Sequence, residues 1–233
     1  MGKGTVMSLD DWHKRWADGN TGWHKKEIHP YLISYFMQQF SGEGKPRTFV
    51  PFCGKTKDMA WLLEQGCSVV GVEINEGGVK SFFEESKLGE PLKEERDGHP
   101  YYHVMEGRLG IFTRDLFTCN SEVLGGSFDA IWDRGSLVAM NVDDRPRYAE
   151  LLHQVLKPGG FILLSTVDYD PAAYGGPPHC VSQADLATLF PEPRWERRQL
   201  EEKDGMEDAE MNAKAKSWGC DWFMERAYVI QKI

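Results

Sequence analysis

The stretch Arg47–Glu73, RTFVPFCGKTKDMAWLLEQGCSVVGVE, carries two readings that exclude each other. The CGKT tetrapeptide Cys53–Thr56, following an apolar run, resembles the end of a phosphate-cradling loop, whereas the apolar run closing on Glu73 resembles a strand that ends on a ribose-binding acid. A phosphate loop begins with a glycine five residues before its Gly-Lys pair, where the backbone curls around the phosphates. Counting back from Gly54 reaches Phe49, inside the apolar run, so the curl has no glycine to start it. The ribose reading needs a strand, a tight turn, a helix and an acid about 20 residues after the turn. Gly54 and Glu73 are 19 positions apart (73 − 54).

The full G-x-G-x-x-G fingerprint is missing, because Gly54 stands alone among Pro51, Phe52, Cys53 and Lys55. A dinucleotide's pyrophosphate needs close backbone approach and is disfavoured by this loop. A ribose ligand without a pyrophosphate is not, and S-adenosylmethionine is such a ligand. A carboxylate at Glu73 accepts hydrogen bonds from both ribose hydroxyls; the alternative for Glu73 is a strand-end acid facing solvent.

Outward from this stretch the chain alternates. Apolar, β-branched runs at 48–52, 68–74, 109–113, 128–132 and 161–167 read as strands, with helical patterns at 56–65, 76–86 and 145–156 between them. That alternation implies parallel crossovers and an α/β, doubly wound sheet. Residues 88–101 read as a polar loop leading to a short strand, YYHVME, and 168–182 as a turn-rich loop before a helix, QADLATLF. The tail offers two strands, 195–201 and 222–231, expected as an antiparallel pair at the sheet edge. Upstream, SLDDWHKRW opens a helix with Ser8 as N-cap and Asp11 closing a capping box. Apolar positions Ile28, Tyr31, Leu32, Tyr35, Phe36 and Phe40 mark one helical face over 25–40, with Pro30 fitting only the first turn. The SGEGKPR linker then divides an N-terminal helical lid, 1–45, from a main body, 46–233, in a single domain.

At 233 residues the chain is long enough to bury a large core, and 41% hydrophobic with 27% charged residues is the composition of a folded protein. A net charge of −9 without a dense Lys/Arg cluster argues against nucleic acid. The five cysteines are odd in number, dispersed and free of C-x-x-C pairs, which fits a reducing, cytoplasmic setting and leaves no metal motif. No apolar run has the length of a membrane span or a signal core, and Val6 stands where myristoylation of Gly2 wants Ser or Thr.

The remaining strand tips extend the pattern. FTRDLF ends a strand on Asp115, placed to accept from an adenine amino group; SFDAIWDRGSLVAM ends one on Asp133 and Arg134; LLHQVLKPGGFILLST is a helix, a Lys-Pro-Gly-Gly turn and a strand. Ligands of doubly wound sheets sit at such carboxyl ends, near the switch point. Helix capping is the bland alternative for both aspartates.

These residues also carry a resemblance. FVPFCGKTKDMAWLLEQGCSVVGVE, FDAIWDRGSLVAMNVDDRPRYA, DYDPAAYGGPPHCV, KSWGCDWFMERAYVI and WHKRWADGNTGWH are similar to segments of the thiopurine S-methyltransferase family, over nearly the whole chain. The resemblance implies a mostly parallel, seven-stranded Rossmann-like sheet, S-adenosyl-L-methionine as donor and S-adenosyl-L-homocysteine as product. It places Trp12 and Trp16 in a lid over the cofactor, Phe52 and Gly54 in the first loop, Glu73 at the ribose and Asp115 with Leu116 at the adenine edge. Asp133 and Arg134 fall beside the cofactor, with Arg134 reaching the acceptor, and Trp23 resembles an aromatic that contacts substrate. Where vertebrate members have an arginine two residues before KSW, this chain has Lys214, which lacks the bidentate fork.

The implied reaction is in-line methyl transfer to a small aromatic or heterocyclic thiol by a cytoplasmic monomer, a step of xenobiotic metabolism. No residue is assigned as an essential base; Arg134 is the electrostatic stabiliser. Other readings are halide, thiocyanate, sulfide or metalloid methylation on the same fold, or a cofactor-binding sensor without turnover. His24 and His179 read as solvated loop residues, Cys53 as a small buried residue, and Trp61, Trp195 and Trp222 as core.

Overall fold

The computed structural model describes residues 4–233. Gly2, with the reading of its myristoylation, lies outside them.

Among the described residues, nine strands form one sheet in the order β3-β4-β5-β2-β1-β6-β7-β9-β8. Five are mutually parallel at its centre: β5 (Leu109–Thr113), β2 (Ser68–Glu73), β1 (Arg47–Pro51), β6 (Phe128–Arg134) and β7 (Leu156–Asp168). At one edge β9 (Met224–Lys232) and β8 (Trp195–Asp204) run antiparallel to β7 and to each other, the expected C-terminal pair. At the other edge β3 (Leu92–Arg96) and β4 (His99–Val104) form an antiparallel hairpin on β5. This hairpin is the difference between seven expected strands and nine. Every residue of β3 is exposed, so its LKEER sequence has no apolar periodicity to read as a strand. Its charges suit an edge that must not recruit another chain.

The pleat sends alternate residues to opposite faces. Phe49, Val70, Val72, Phe112, Ile131 and Ile162 meet α5 (Arg145–Val155) and α6 (Gln183–Leu189) through Tyr148, Leu152 and Leu186. Val50, Val69, Ile111, Trp132 and Leu163 meet α2 (Pro30–Gln39), α3 (Asp58–Glu64) and α4 (Glu76–Ser86) through Leu32, Phe36, Met59 and Phe82. Burying each such side chain contributes about 1.5–3 kcal/mol, so both layers are firmly seated.

Local chemistry sets the helix ends. α1 (Leu9–Ala17) starts with the expected capping box, Ser8 and Asp11 bonding reciprocally. α2 begins at Pro30, not Lys25, because proline lacks the N–H that an interior position needs and His29 supplies the cap. The Lys-Pro-Gly-Gly segment does not separate helix from strand: it lies within β7, where the register against β6 slips between Phe128 and Ala130. Between the last two strands lies a helix, α7 (Ala209–Ser217), which the sequence reading did not assign. Among the described residues no helix is long and apolar enough to cross a membrane.

Candidate active site

A cavity of about 690 Å³ opens at the carboxyl ends of β1, β2, β5, β6 and β7, with Phe52, Glu73, Asp115, Arg134 and Ser165 marking those five tips. Its volume is in the range of sites that enclose small molecules.

At one end Glu73 is 6% exposed. Its Oε2 accepts from the Gly54 N–H at 3.0 Å and its Oε1 from the Asn75 N–H at 2.9 Å. Burial raises its pKa to about 7, against the lowering effect of those bonds. The Gly54 amide that a phosphate would have used is therefore committed to this chain's own carboxylate. Gly54 has a left-handed φ of +49°, and a Cβ there would meet His24 Nε2 at 2.5 Å. Phe52 also has positive φ, +43°, a conformation that costs a non-glycine residue about 1–3 kcal/mol. The loop is thus held in a bent form that turns the half-buried Phe52 to the cavity and brings Gly54 under Glu73.

Asp115 lies two residues beyond β5 and caps the short 3-10 turn Leu116–Thr118, accepting from the Phe117 N–H at 2.9 Å. All three of Asp115, Leu116 and Phe117 line the cavity. Asp133 does not. It is fully buried, accepts from the Tyr148 hydroxyl at 2.7 Å and from the Leu137 N–H at 3.1 Å, and burial raises its pKa to about 6. The bland capping reading describes Asp133: it fixes the turn that presents Arg134. Gly54 is likewise absent from the lining and acts through Glu73 and His24.

The N-terminal segment crosses the cavity. Trp12 and Trp16 of α1 pack edge-on against Trp23 with centroids 5.6 and 5.8 Å apart, and all three line the cavity. Gly78 at the start of α4 leaves the space Trp16 occupies, since a Cβ there would lie 2.7 Å from its ring. Arg134 Nη1 donates to the Trp23 carbonyl at 2.8 Å, and burial lowers the guanidinium's pKa below its ordinary value. His24 is no solvated loop residue. Its Nε2 accepts from the Lys55 N–H at 3.1 Å, leaving Nδ1–H to donate to the Thr21 carbonyl at 3.1 Å, and burial lowers its pKa to about 4. The ring joins the crossing segment to the Gly54 loop as a neutral bridge.

At the other end stand Lys214, Met211, Trp218, Phe223, Glu225, Ser165, Val167, Pro177, Pro178 and His29. Lys214 reaches the cavity as expected, while its ammonium lies 3.2 Å from Glu210 on the exposed side of α7. His29 Nδ1 accepts from the Tyr31 N–H at 3.3 Å, so the neutral ring carries its proton on Nε2. Burial drives its pKa down to about 3, with the Arg134 charge acting in the same sense. Its backbone N–H donates to Asp58, which also accepts from the Trp132 indole at 2.9 Å.

Two residues escaped the sequence reading, His29 and Glu225, while His24, read there as a solvated loop residue, is a half-buried bridge. His29 could have been found, since a polar residue directly before a helix-opening proline is a capping position. For Glu225, one acid in a strand of mixed polarity, no sequence signal exists. Elsewhere, His179 is 3% exposed and Trp222 is 43% exposed, each the reverse of its expectation. Trp195 is core, Trp61 packs half-buried on the α2–α4 layer, and Cys53 is buried with its thiol pKa pushed well up by desolvation, hence unreactive.

In fold the chain is an S-adenosylmethionine-dependent methyltransferase. It superposes on the Burkholderia thailandensis 1,6-didemethyltoxoflavin-N1-methyltransferase, solved with 1,6-didemethyltoxoflavin and S-adenosylhomocysteine, with a TM-score of 0.61 at 15% identity, covering 98% of this chain and 93% of that one. Residues 7–233 match the family model for thiopurine S-methyltransferase. The chain is 37% identical to a probable thiopurine S-methyltransferase of Danio rerio, over 97% of this chain and 95% of the relative. It is 36% identical to the Rattus norvegicus thiopurine S-methyltransferase, over 98% and 93%. The chain belongs to the thiopurine S-methyltransferase family.

Proposed function

We propose that this protein transfers a methyl group from S-adenosyl-L-methionine to the sulfur of small aromatic or heterocyclic thiols. The observation that carries the reading is the division of one cavity between a preorganised carboxylate, Glu73, and a cationic, aromatic-walled end containing Arg134 and Lys214. The residues present fit the cofactor. Glu73 offers a carboxylate already oriented by two amides, Asp115 and Leu116 stand at the neighbouring strand tip, and Trp12, Trp16 and Phe52 give apolar surfaces around them.

The cofactor, when bound, supplies an activated methyl on a sulfonium, so the chain's residues have positioning and shielding to do. Glu73 holds the ribose hydroxyls, and Asp115 accepts from the adenine edge. The crossing segment, latched by Arg134 and His24, excludes water from the space between them. Arg134 and Lys214 stabilise an anionic acceptor, and Trp23 offers its ring a flat face. His29 is a hydrogen-bond donor only, because its lone pair is occupied by Tyr31. A cavity this large and aromatic favours a ring-sized acceptor over halide, thiocyanate or sulfide.

The same reading takes the protein as a cytoplasmic monomer that methylates xenobiotics, without nucleic-acid partners. Five free cysteines fit a reducing compartment, and the exposed large apolar residues, such as Val6, Ile33 and Leu92, are spread over separate elements. Labelled S-adenosylmethionine offered with aromatic thiols, aliphatic thiols, sulfide and iodide tests the function. Transfer to aromatic and heterocyclic thiols is expected to dominate. Dominant transfer to sulfide or iodide, or none despite cofactor binding, would refute it.

A further inference from the structure

Four carboxylates line the cavity: Glu73, Asp115, Asp144 and Glu225. Three are engaged by the fold. Glu73 and Asp115 accept backbone N–H groups, and Asp144 accepts from the Asn141 amide at 3.2 Å. Glu225 differs: among the described residues its carboxylate has no hydrogen bond or ion pair, and only its backbone carbonyl is used, by the Tyr31 hydroxyl. None of its cationic neighbours pairs with it directly: Lys203, opposite in register on β8, pairs with Glu201 at 2.9 Å, and Arg134, whose buried guanidinium feels the Glu225 charge, donates to the Trp23 carbonyl. Pairing of Glu225 with Val167 across β9 and β7 places its side chain on the sheet face that lines the acceptor end, beside Ser165 and Phe223.

An unpartnered carboxylate tolerates this position while water reaches it. When an acceptor displaces that water, the charge becomes buried and costly unless the acceptor brings a donor of its own. The surrounding groups, Arg134, Lys214 and the Nε2–H of His29, are donors and cannot be what the acceptor supplies. Heterocyclic thiones have the matching pattern: sulfur as acceptor and, one carbon away, a ring N–H as donor.

We propose that Glu225 is the acceptor-recognition and proton-accepting residue for heterocyclic thiones, an assignment that rests on the thiol-methylation reading. In the step, the thione sulfur forms a bond to the methyl carbon as the donor's sulfonium carbon–sulfur bond breaks, leaving a neutral thioether. The C=S bond becomes C–S, the ring N–H electron pair becomes the C=N bond, and the proton passes to the Glu225 carboxylate and then to solvent. An arylthiolate without a ring nitrogen has no such proton and gains nothing from Glu225.

The test compares Glu225→Gln and Glu225→Asp with the native enzyme on 6-mercaptopurine and on 4-nitrothiophenol. Glu225→Gln is expected to lower kcat/KM for 6-mercaptopurine by about a hundredfold, in the range of a lost acid–base residue. It should leave turnover of 4-nitrothiophenol undiminished or raised, because that thiolate brings no donor to the carboxylate, with Glu225→Asp recovering part of the 6-mercaptopurine loss. A second readout needs no turnover: with S-adenosylhomocysteine present, absorbance of bound 6-mercaptopurine should keep its thione form in Glu225→Gln and shift toward the anion in the native protein. Equal losses on both acceptors, or no loss on 6-mercaptopurine, would overturn the assignment. Failure of the native enzyme to methylate either acceptor while binding cofactor would instead sink the thiol reading, and this assignment with it.

Discussion

The donor and acceptor ends of the cavity are held in place by different means. At the donor end, Glu73 and Asp115 sit at the tips of adjacent parallel strands, and their oxygens are fixed by backbone amides two residues on and, for Glu73, by the Gly54 amide of the neighbouring loop. At the acceptor end, Arg134, His29, Lys214 and Glu225 come from a central strand tip, a helix cap, an edge helix and an antiparallel strand. The first end is rigid because the sheet itself sets it. The second is assembled from pieces that can vary one at a time, the arrangement expected where a common donor meets differing acceptors.

Glu73→Ala tests this contrast most severely. It removes two charge-assisted acceptors for the ribose and leaves the Gly54 and Asn75 amides unpaired, so cofactor affinity should fall by about 1.5–3 kcal/mol, roughly 10- to 150-fold. Calorimetric titration with S-adenosylhomocysteine measures it. Unchanged affinity would remove Glu73 from the ribose and with it the assignment of this end.

The same contrast explains what was legible in the sequence. The donor end is encoded locally: Phe49, Gly54 and Glu73 lie in one strand-turn-helix-strand unit whose periodicity and spacing can be counted. Asp115 and Arg134 follow by repeating that logic at later strands. Its error, Asp133, arises because a strand-end acid looks the same whether it faces ligand or caps the next turn, and Tyr148, which claims it, lies 15 residues downstream. The acceptor end depends on which side of β9 Glu225 faces, which only the pairing with β7 decides. Strand β3 was missed for a related reason, since a fully exposed strand leaves no apolar trace, whereas the partly buried β4 was legible.

Gly54→Ala should be the next largest disturbance. A left-handed alanine costs about 1–2 kcal/mol, and its Cβ would force His24 away, releasing the bridge between the crossing segment and the first loop. Thermal unfolding should register the strain, and limited proteolysis near residues 18–25 should accelerate. If the segment stays protected, the His24 bridge is not what latches it.

Acidity offers a subtler probe, with two effects of opposite sign at one residue. The Glu73 pKa, raised to about 7, means that the ligand-free protein is protonated there in mild acid. Ribose hydroxyls bind the ionised form, so affinity for S-adenosylhomocysteine should decline below about pH 7, approaching tenfold per unit. Stability from this group runs the other way. With the folded pKa above the unfolded one, its contribution is fully present below the unfolded carboxyl range and is lost as pH rises through about 7. Glu73→Gln should flatten both dependences relative to the native chain. An affinity profile that is flat in the native chain, or unchanged by that substitution, would contradict the assignment.

Lys214→Arg probes the acceptor end alone and should have the smallest effect. Lys214 sits at the solvent side of α7, 40% exposed at its side chain and paired with Glu210, so its charge is screened and already shared. Replacing a point charge with a planar fork adds a bidentate partner for a carboxylate on the acceptor without altering the donor end. Turnover of an acidic aromatic thiol such as thiosalicylate should rise about threefold relative to thiophenol, with cofactor affinity constant. A changed cofactor affinity would mean that the two ends are coupled through α7. An unchanged acceptor ratio would place Lys214 on the rim, leaving Arg134 to meet the acceptor and making Glu225, not the α7 charge, the feature that sorts one thiol from another.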